Sequence, residues 1–428
     1  MRIPLLVFCA AITAGTTPLV AQDTLGREPV SLLQVLDSVA ARYPSLEAAR
    51  ARIRAARGSR STAGTLGNPI LMYQVDNQPL PGRAAPPMDR EMMLTATLPL
   101  EPLYQRWSRV SGANAEIRAA EADAQSDQQR IELDATRAFY RMARAQVALT
   151  AARDLTAWLD SVVAYNRSRV KEGVAAEADL IRSELERDRA EADATMQEAD
   201  LGRARADLSV FLGDERALFR VTAFDAALAL PDVPLTSRAG TTRPDIRAAR
   251  ERVAAAGAGV TTERTNLIRQ LGLTVGTKRT AGTTSLIAGV SMPFPLFDQN
   301  RGAIARAAAA REAATFDLAA QERIGRAEIV GAAESARLLT DRARVLAGAA
   351  RGQGYLARAD EARRIALGAY REGAVPLIQV IDAARAWGEA QLVYYQILYA
   401  QHESVVQLLV AEGVDIASRL PTLAEARP

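Results

Sequence analysis

The chain has 428 residues, 49% of them hydrophobic and 5% aromatic, and its 53 basic and 50 acidic residues leave a formal net charge of +3. That is enough apolar mass for a large core or several domains, and charges this interspersed exclude the basic stripe of a nucleic-acid binder. Beyond the N-terminus no run of eighteen apolar residues occurs, so no helix is expected to cross a membrane.

In chain order, residues 1–21 come first. A lone Arg2, an apolar run from Ile3 to Ala14 and a small-residue stretch ending at Ala21 read as a secretory signal peptide cleaved near Ala21. Cys9, the one cysteine, lies inside it, in V-F-C, which lacks the small residues of a lipid-attachment site. The mature chain then has no disulfide or thiol chemistry, which points to export into a bacterial periplasm or outer membrane.

Two segments follow the same plan. R-Y-P-S-L-E-A-A-R-A-R at 42–52 matches T-R-P-D-I-R-A-A-R-E-R at 242–252, and R-V-K-E-G at 169–173 matches A-Y-R-E-G at 369–373, both 200 residues apart. A register kept at both ends indicates an internal duplication, with repeats expected over 22–215 and 241–415, a packed connector at 216–240 and a C-terminal tail at 416–428. Each repeat opens on helix, near Ser31 and Pro44 in the first and near Pro244 in the second. Two strand-like pieces come next: 69–75 and 91–98, then 270–277 and 284–292. Gln270 to Thr277 alternates apolar residues with glycine or threonine. Such strands suit a barrel with one face on lipid and one on a wet lumen, or a plain hairpin lying on helices.

A proline junction closes each strand pair, L-P-L-E-P-L-Y with Pro99 and Pro102, and P-F-P-L-F-D-Q-N-R-G with Pro293 and Pro295. Proline holds its predecessor extended. Asp298 is expected to cap the helix that follows, and Gly302 to allow a close approach. Long helical regions then cover about 103–212 and 298–413. Each must fold back, and reversals are expected near Ala145–Asp154 and Gly352–Leu356. Gly173, Gly373 and Pro376 are expected to break the helices in a mixed equatorial region. Four strands cannot close a barrel, and lipid penalises an open edge. Three copies would supply twelve strands under cyclic symmetry.

The duplication, G-N-P at 67–69, both proline junctions and Y-R-E-G-A-V-P-L-I-Q-V-I-D-A-A-R at 370–385 resemble the TolC-type outer-membrane efflux channels, over about Ser31 to Gly413. The first repeat departs from the pattern: V-K-E-G-V-A-A-E-A-D-L-I has no tyrosine at the equivalent of Tyr370. The resemblance implies a mainly α fold with a small β part, and a homotrimer with a twelve-stranded barrel in outer-membrane lipid above a long periplasmic α-barrel. It also implies a periplasmic adaptor and an inner-membrane RND-type pump as partners. The P-L-F-D-Q-N-R-G junction looks most like the subgroup that exports heavy-metal cations (cobalt, zinc, cadmium). Drug efflux and type I protein secretion are the channel alternatives, and a periplasmic coiled-coil adaptor without a barrel is the alternative of another class.

The charge cluster at the second expected reversal makes Tyr355, Arg358, Asp360 and Glu361 candidate gate residues, since three-fold symmetry repeats each charge around a narrow mouth. His402, the lone histidine, is read as a helix-face residue and not a metal ligand. No nucleophile triad, phosphate loop or catalytic carboxylate pair occurs, so no enzyme activity, cofactor or resident metal is expected, and no nucleic-acid partner.

Overall fold

The computed structural model describes residues 29–425, apart from 80, 83–87, 214–218, 225, 232–242, 269–270, 293 and 349–352. The expected signal peptide and Pro293 therefore lie outside the described residues. The chain begins with α1 (Leu32–Arg42), opened by a capping box in which Ser31 and Gln34 exchange side-chain and backbone bonds of 2.8 and 3.3 Å. Then come α2 (Pro44–Gly64), β1 (Ile70–Asp76), β2 (Glu91–Pro99), α3 (Glu101–Lys171) and α4 (Glu177–Leu212). The second repeat supplies α5 (Pro244–Thr265), β3 (Gly272–Thr280), β4 (Thr283–Ser291), α6 (Arg301–Ala347), α7 (Tyr355–Arg371) and α8 (Leu377–Ala411), and α9 (Ile416–Glu425) ends the chain. Pro44 and Pro244 each start a helix, where a missing N–H costs nothing.

The four strands form one antiparallel sheet in the order β1-β2-β3-β4. The third strand begins two residues and ends three residues later than its alternation suggested. Lys278, Arg279 and Thr280 look like loop in sequence, yet they pair with Ser285, Thr284 and Thr283 across a two-residue turn at Ala281 and Gly282, both at positive φ. β2 and β3 approach so closely at Gly276 that a Cβ there would lie 2.7 Å from the Thr95 Cα and against the Leu94 carbonyl.

Below the sheet the helices run antiparallel. Arg57–Glu121 at 2.9 Å and Arg60–Asn114 at 3.3 Å pair α2 with α3. Arg118–Glu251 at 2.8 Å and Thr262–Ser108 at 3.0 Å pair α3 with α5, and Arg243–Glu328 at 2.8 Å pairs α5 with α6. The layer α2-α3-α5-α6 thus continues the four strands one for one.

The reversals are not where the sequence placed them. α3 continues for 71 residues, ~105 Å at the helical rise. Ala145, Ala148, Leu149 and Ala151, within the expected reversal, are buried helix positions instead. The ion pairs Arg141–Asp207, Arg153–Glu198, Asp160–Arg187 and Arg167–Glu184 descend α3 as they ascend α4, so the hairpin closes at 172–176. In the second repeat Thr340 meets Gln401 and Arg363 meets Trp387. Hence α6 and α7 run in one direction, both antiparallel to α8, and the reversal falls at 372–376. Gly348, at φ 100°, ends α6 without turning the chain back.

The main core lies midway down the helices. Phe139 and Met142 of α3, Leu36 of α1, Leu208 of α4, Val221 and Leu228 of the connector, Ala336 of α6, Val405 of α8 and Ile416 of α9 are all buried in it. The expected C-terminal tail is thus partly helix docked on this core. Elsewhere the helices meet largely through alanine, which allows close packing.

Gly276→Val is expected to stop the sheet from forming, because the clash is with backbone rather than with a movable side-chain end. Loss of the β-sheet amide I band in the infrared spectrum checks this.

Candidate functional site: strand faces, junctions and helical reversals

Directly paired residues in an antiparallel sheet share a face. One face carries Leu71, Tyr73, Val75, Met92, Leu94, Ala96, Leu98, Leu273, Val275, Leu286, Ala288 and Val290, with Thr277, Arg279 and Thr284 toward the β3–β4 turn. The other carries mostly polar residues, Gln74, Asp76, Glu91, Thr95, Thr97, Thr274, Lys278, Thr280, Ser285 and Ser291, with Ile70, Met72, Met93 and Ile287 among them and Glu91 and Lys278 2.6 Å apart. Along β2 and β3 the polar face is the less exposed one: Thr95 is 4% exposed, whereas Leu94 is 45% and Val275 46%. The polar face is therefore concave and the apolar face convex. Solvent would reverse that choice, whereas a wet lumen inside and lipid outside accounts for it.

Pro99 is the last residue of β2, and the next N–H, of Leu100, still bonds the Leu271 carbonyl at 2.7 Å. Pro102 falls in the first turn of α3, where its lack of a donor is harmless. Pro295 precedes α6 in irregular backbone. Asp298 does not occupy the cap. Asn300 does, in a left-handed conformation (φ 55°), and the Asp298 carboxylate accepts the Asn300 N–H at 2.9 Å, folding the approach into a tight turn. Gly302 makes no close approach, since a Cβ there meets open space.

The residues that fasten the junction escaped sequence reasoning. Buried Asn300 donates to the Glu263 carbonyl at 2.6 Å and to its carboxylate at 3.1 Å. Asn266 donates to the same carboxylate at 3.0 Å and accepts from Gln105 at 2.6 Å. The Tyr104 hydroxyl bonds the Ile268 carbonyl, and Arg106 bonds the Gly64 carbonyl at 3.0 Å. The first turns of α3 and α6 are thereby tied to the last turns of α2 and α5. Repetition could not have revealed this, because the two repeats use different residues.

Gly173 and Gly373, at φ 75° and 76°, sit in the reversals rather than in an equatorial break. Val174 N–H bonds Arg169 O and Ala374 N–H bonds Ala369 O, at 2.9 and 2.8 Å, the six-to-one closure of a left-handed helix end. Pro376 then caps α8 in extended backbone. The two hairpin ends are joined: the Tyr370 hydroxyl bonds buried Asn166 at 2.7 Å, and Arg169 lies 5.6 Å from the rings of both Tyr165 and Tyr370.

Tyr355, Arg358, Asp360 and Glu361 begin α7 and precede the reversal by roughly three to five turns. Asp360 pairs with Arg363 at 2.7 Å and Arg364 at 3.1 Å, and Glu361 pairs with Arg364. Their charge is therefore balanced along one helix, and they are not gathered at the hairpin end. Arg363 is the notable neighbour: its guanidinium stands 4.1 Å over Trp387 and 5.6 Å from Trp158, fastening α7 to α8 and α3.

At the midpoint the connector is stitched down by glutamines that act as strand partners. Gln146 donates to Val221 O and accepts from its N–H, at 3.0 and 2.8 Å, and Gln401 does the same for Leu228, at 2.9 and 3.0 Å. His402 is fully buried, with Nε2 2.9 Å from the Ala226 carbonyl. Burial pushes its pKa down to about 4. As a depressed base it adds stability above pH 6.5 that is lost as pH falls through about 4. Arg243 does for the second repeat what Tyr43 does for the first. It reaches the Ala411 carbonyl at 3.1 Å, while Tyr43 stacks on Phe211, again 200 residues earlier. Glu412, buried at the negative end of α8, has its pKa pushed up to about 7 by burial. Among the described residues no group of three or more His, Cys, Asp or Glu is placed to hold a metal.

The profile of the family described as outer membrane efflux protein (OEP) matches the chain twice, over residues 35–214 and 235–414. The chain belongs to the outer membrane efflux protein family. The two matches begin 200 residues apart, as the duplication requires. No curated protein sequence matches significantly. Among solved structures the chain is similar to the outer-membrane channel OprN (21% identity, TM-score 0.76, 90% of each chain), to CusC (16%, 0.75, 90% of this chain and 92% of that one) and to the Campylobacter jejuni CmeC outer-membrane channel (15%, 0.73, 93% and 90%). The fold is that of TolC-like efflux channels, and these relatives are channels rather than enzymes.

Two results are expected. Asn300→Ala, which removes a buried donor pair, is expected to destabilise the junction by about 1–3 kcal/mol, while Gly302→Ala is neutral or slightly stabilising, as thermal melting of the two variants would show. Glu412 binds its proton more tightly in the fold, so its stabilisation is complete below pH 4.5 and disappears as pH rises through about 7. Glu412→Gln is expected to raise the melting temperature at pH 8 relative to the parent, on the order of 1 kcal/mol after solvent screening, and to narrow that gap at pH 5.

Proposed function

We propose that the chain works as a homotrimer, forming a passive exit duct through the outer membrane for a tripartite efflux system. The observation that carries this is the sheet: four strands with an apolar convex face, a polar concave face, and β1 and β4 as edges. An edge in lipid must be paired, and the β4 of one copy beside the β1 of the next closes the ring without exposing any edge. Three copies supply twelve strands, the lumen continues between the helices, and the outer membrane is the compartment that such a barrel suits. The hairpin ends at 172–176 and 372–376, far from the sheet, are the ends we assign to the periplasmic adaptor and inner-membrane pump. Heavy-metal cations are the cargo we propose. Their support is the sequence likeness of the D-Q-N-R-G junction alone, since Asp298 and Asn300 use their side chains on the turn and on Glu263.

Purified full-length protein is expected to run as a three-chain species on unheated gels and to open steady conductance in planar bilayers. A soluble monomer with no conductance would rule out the duct. Growth with zinc, cobalt or cadmium, set against growth with dyes and antibiotics, in a strain lacking the gene reads the cargo class: sensitivity to the organic compounds alone would overturn the metal assignment.

A further inference from the structure

The two edges of the helical layer expose apolar stripes that its middle lacks. On one edge α4 packs on α3 and α1, and on the other α6 packs on α5 and α8. On α6, exposed Phe316, Ile324, Val330, Leu338 and Val345 fall within an arc of ~120° at 3.6 residues per turn. That arc lies opposite Ala332, Ala336 and Ala343, which α6 buries within its own chain. On α4, exposed Ile181, Leu185, Met196 and Val210 share an arc of ~60°, opposite buried Ala190 and Leu208. Both stripes therefore point outward from the edges, in the plane of the layer. In the middle of the layer the pattern differs. Among the described residues α5 exposes no large apolar side chain, α8 only Leu392 and Val393, and α3 only Leu103 and Trp107 near the sheet. α2, which stands above α4 on the same edge, turns the small residues Ala51, Ala55 and Gly58 outward.

Height along the layer is set by bonds between helices. Gln401 bonds Thr340 at 3.0 Å, the His402 ring meets Tyr140, and Arg141 pairs with Asp207, so Thr340 and Asp207 are level. α6 descends and α4 ascends, which puts Leu338 and Val210 just above that level, at one height to within ~2 Å. Nearer the hairpin ends, Arg363 beside Trp158 and the Asp160–Arg187 pair set exposed Ile365 of α7 within about one turn of the level of Leu185. Charge is complementary over the same stretch: α4 holds ten acidic and five basic residues, α7 four basic and two acidic.

We infer that the copies meet along their helices, in a heterologous seam where α4 of one copy, with α2 above it, packs on α6 and α7 of the next. Each stripe is covered by the opposite edge of a second copy. Rotation about an axis along the helices keeps height, so Leu338 meets Val210, Phe316 and Ile324 meet the small outward residues of α2, and acid meets base beside the hairpin ends. This seam rests on the three-copy reading for its ring, and it extends the contact from the β1 and β4 edges down the whole layer.

A photo-crosslinking side chain, p-benzoylphenylalanine, placed at Leu338 of the full-length protein in membranes tests the seam. Illumination is expected to give covalent dimers and trimers in which position 338 is joined to the α4 segment around Val210 of another copy, as peptide mass spectrometry reads. The same group at Val210 is expected to reach α6, which keeps the test decisive if one position disturbs assembly. At Leu392, exposed but away from both edges, no link between copies is expected. Val210→Asp is expected to quicken dissociation of the detergent-solubilised trimer roughly tenfold, and Leu392→Asp to leave it unchanged. A trimer whose positions 338 and 210 link to no second copy, or to a different protein, would overturn the seam and keep the duct. A parent chain that stays monomeric would remove both.

Discussion

A strand edge cannot be left open in hydrocarbon, and the rest of this structure answers to that constraint. Water is not available there to bond a free N–H or C=O, so each unpaired group costs several kcal/mol. The chain offers a sheet with two edges and a curvature that places its apolar residues outside. The helices beneath are spaced one per strand, which extends the same curved wall into a layer of antiparallel helices. Sheet and helical layer are thus one surface made in two kinds of secondary structure.

Passing from strand to helix is the local difficulty in such a design, since neighbouring strands lie about 4.8 Å apart and packed helices about 8–10 Å apart. The protein meets the change of spacing at the two junctions. Proline ends the strand at the first junction, a tight turn leads into the helix at the second, and side-chain bonds then hold the first turn of each descending helix to the last turn of its neighbour. The repeats solve this with different chemistry, an arginine to a backbone carbonyl in the first and a buried asparagine to a glutamate in the second. Duplication conserved the geometry and let the residues diverge.

Midway down, the structure becomes an ordinary globular core. Here the connector packs on α3, α6 and α8, and Gln146, Gln401 and His402 satisfy backbone groups that would otherwise be buried without partners. This belt is where a thin layer of alanine-lined helices gains a second layer. It also holds the buried ionisable groups His402 and Glu412, whose pH responses have opposite signs, so titration of one partly offsets the other.

Much of this was legible from sequence because it depends on local rules or on repetition. The 200-residue offset fixed the duplication, alternation located the strands within three residues, and proline marked both junctions. Three features depended on tertiary contacts. The reversal in α3 could not be read because Ala145 to Ala151 is equally suited to a turn-free buried helix, whereas Gly173 reads as a break whether or not the chain turns back there. The cap fell to Asn300 rather than Asp298 because Glu263, 37 residues away, holds its amide in a left-handed conformation that sequence alone would not assign. The acidic residues of α7 looked like a mouth only while the chain was thought to reverse beside them. The sequence by itself determined which segments are strand, helix and junction, since those follow from periodicity and backbone chemistry. The tertiary structure decided where the chain turns back, which face is concave and which polar groups meet, since those depend on partners far away in the chain.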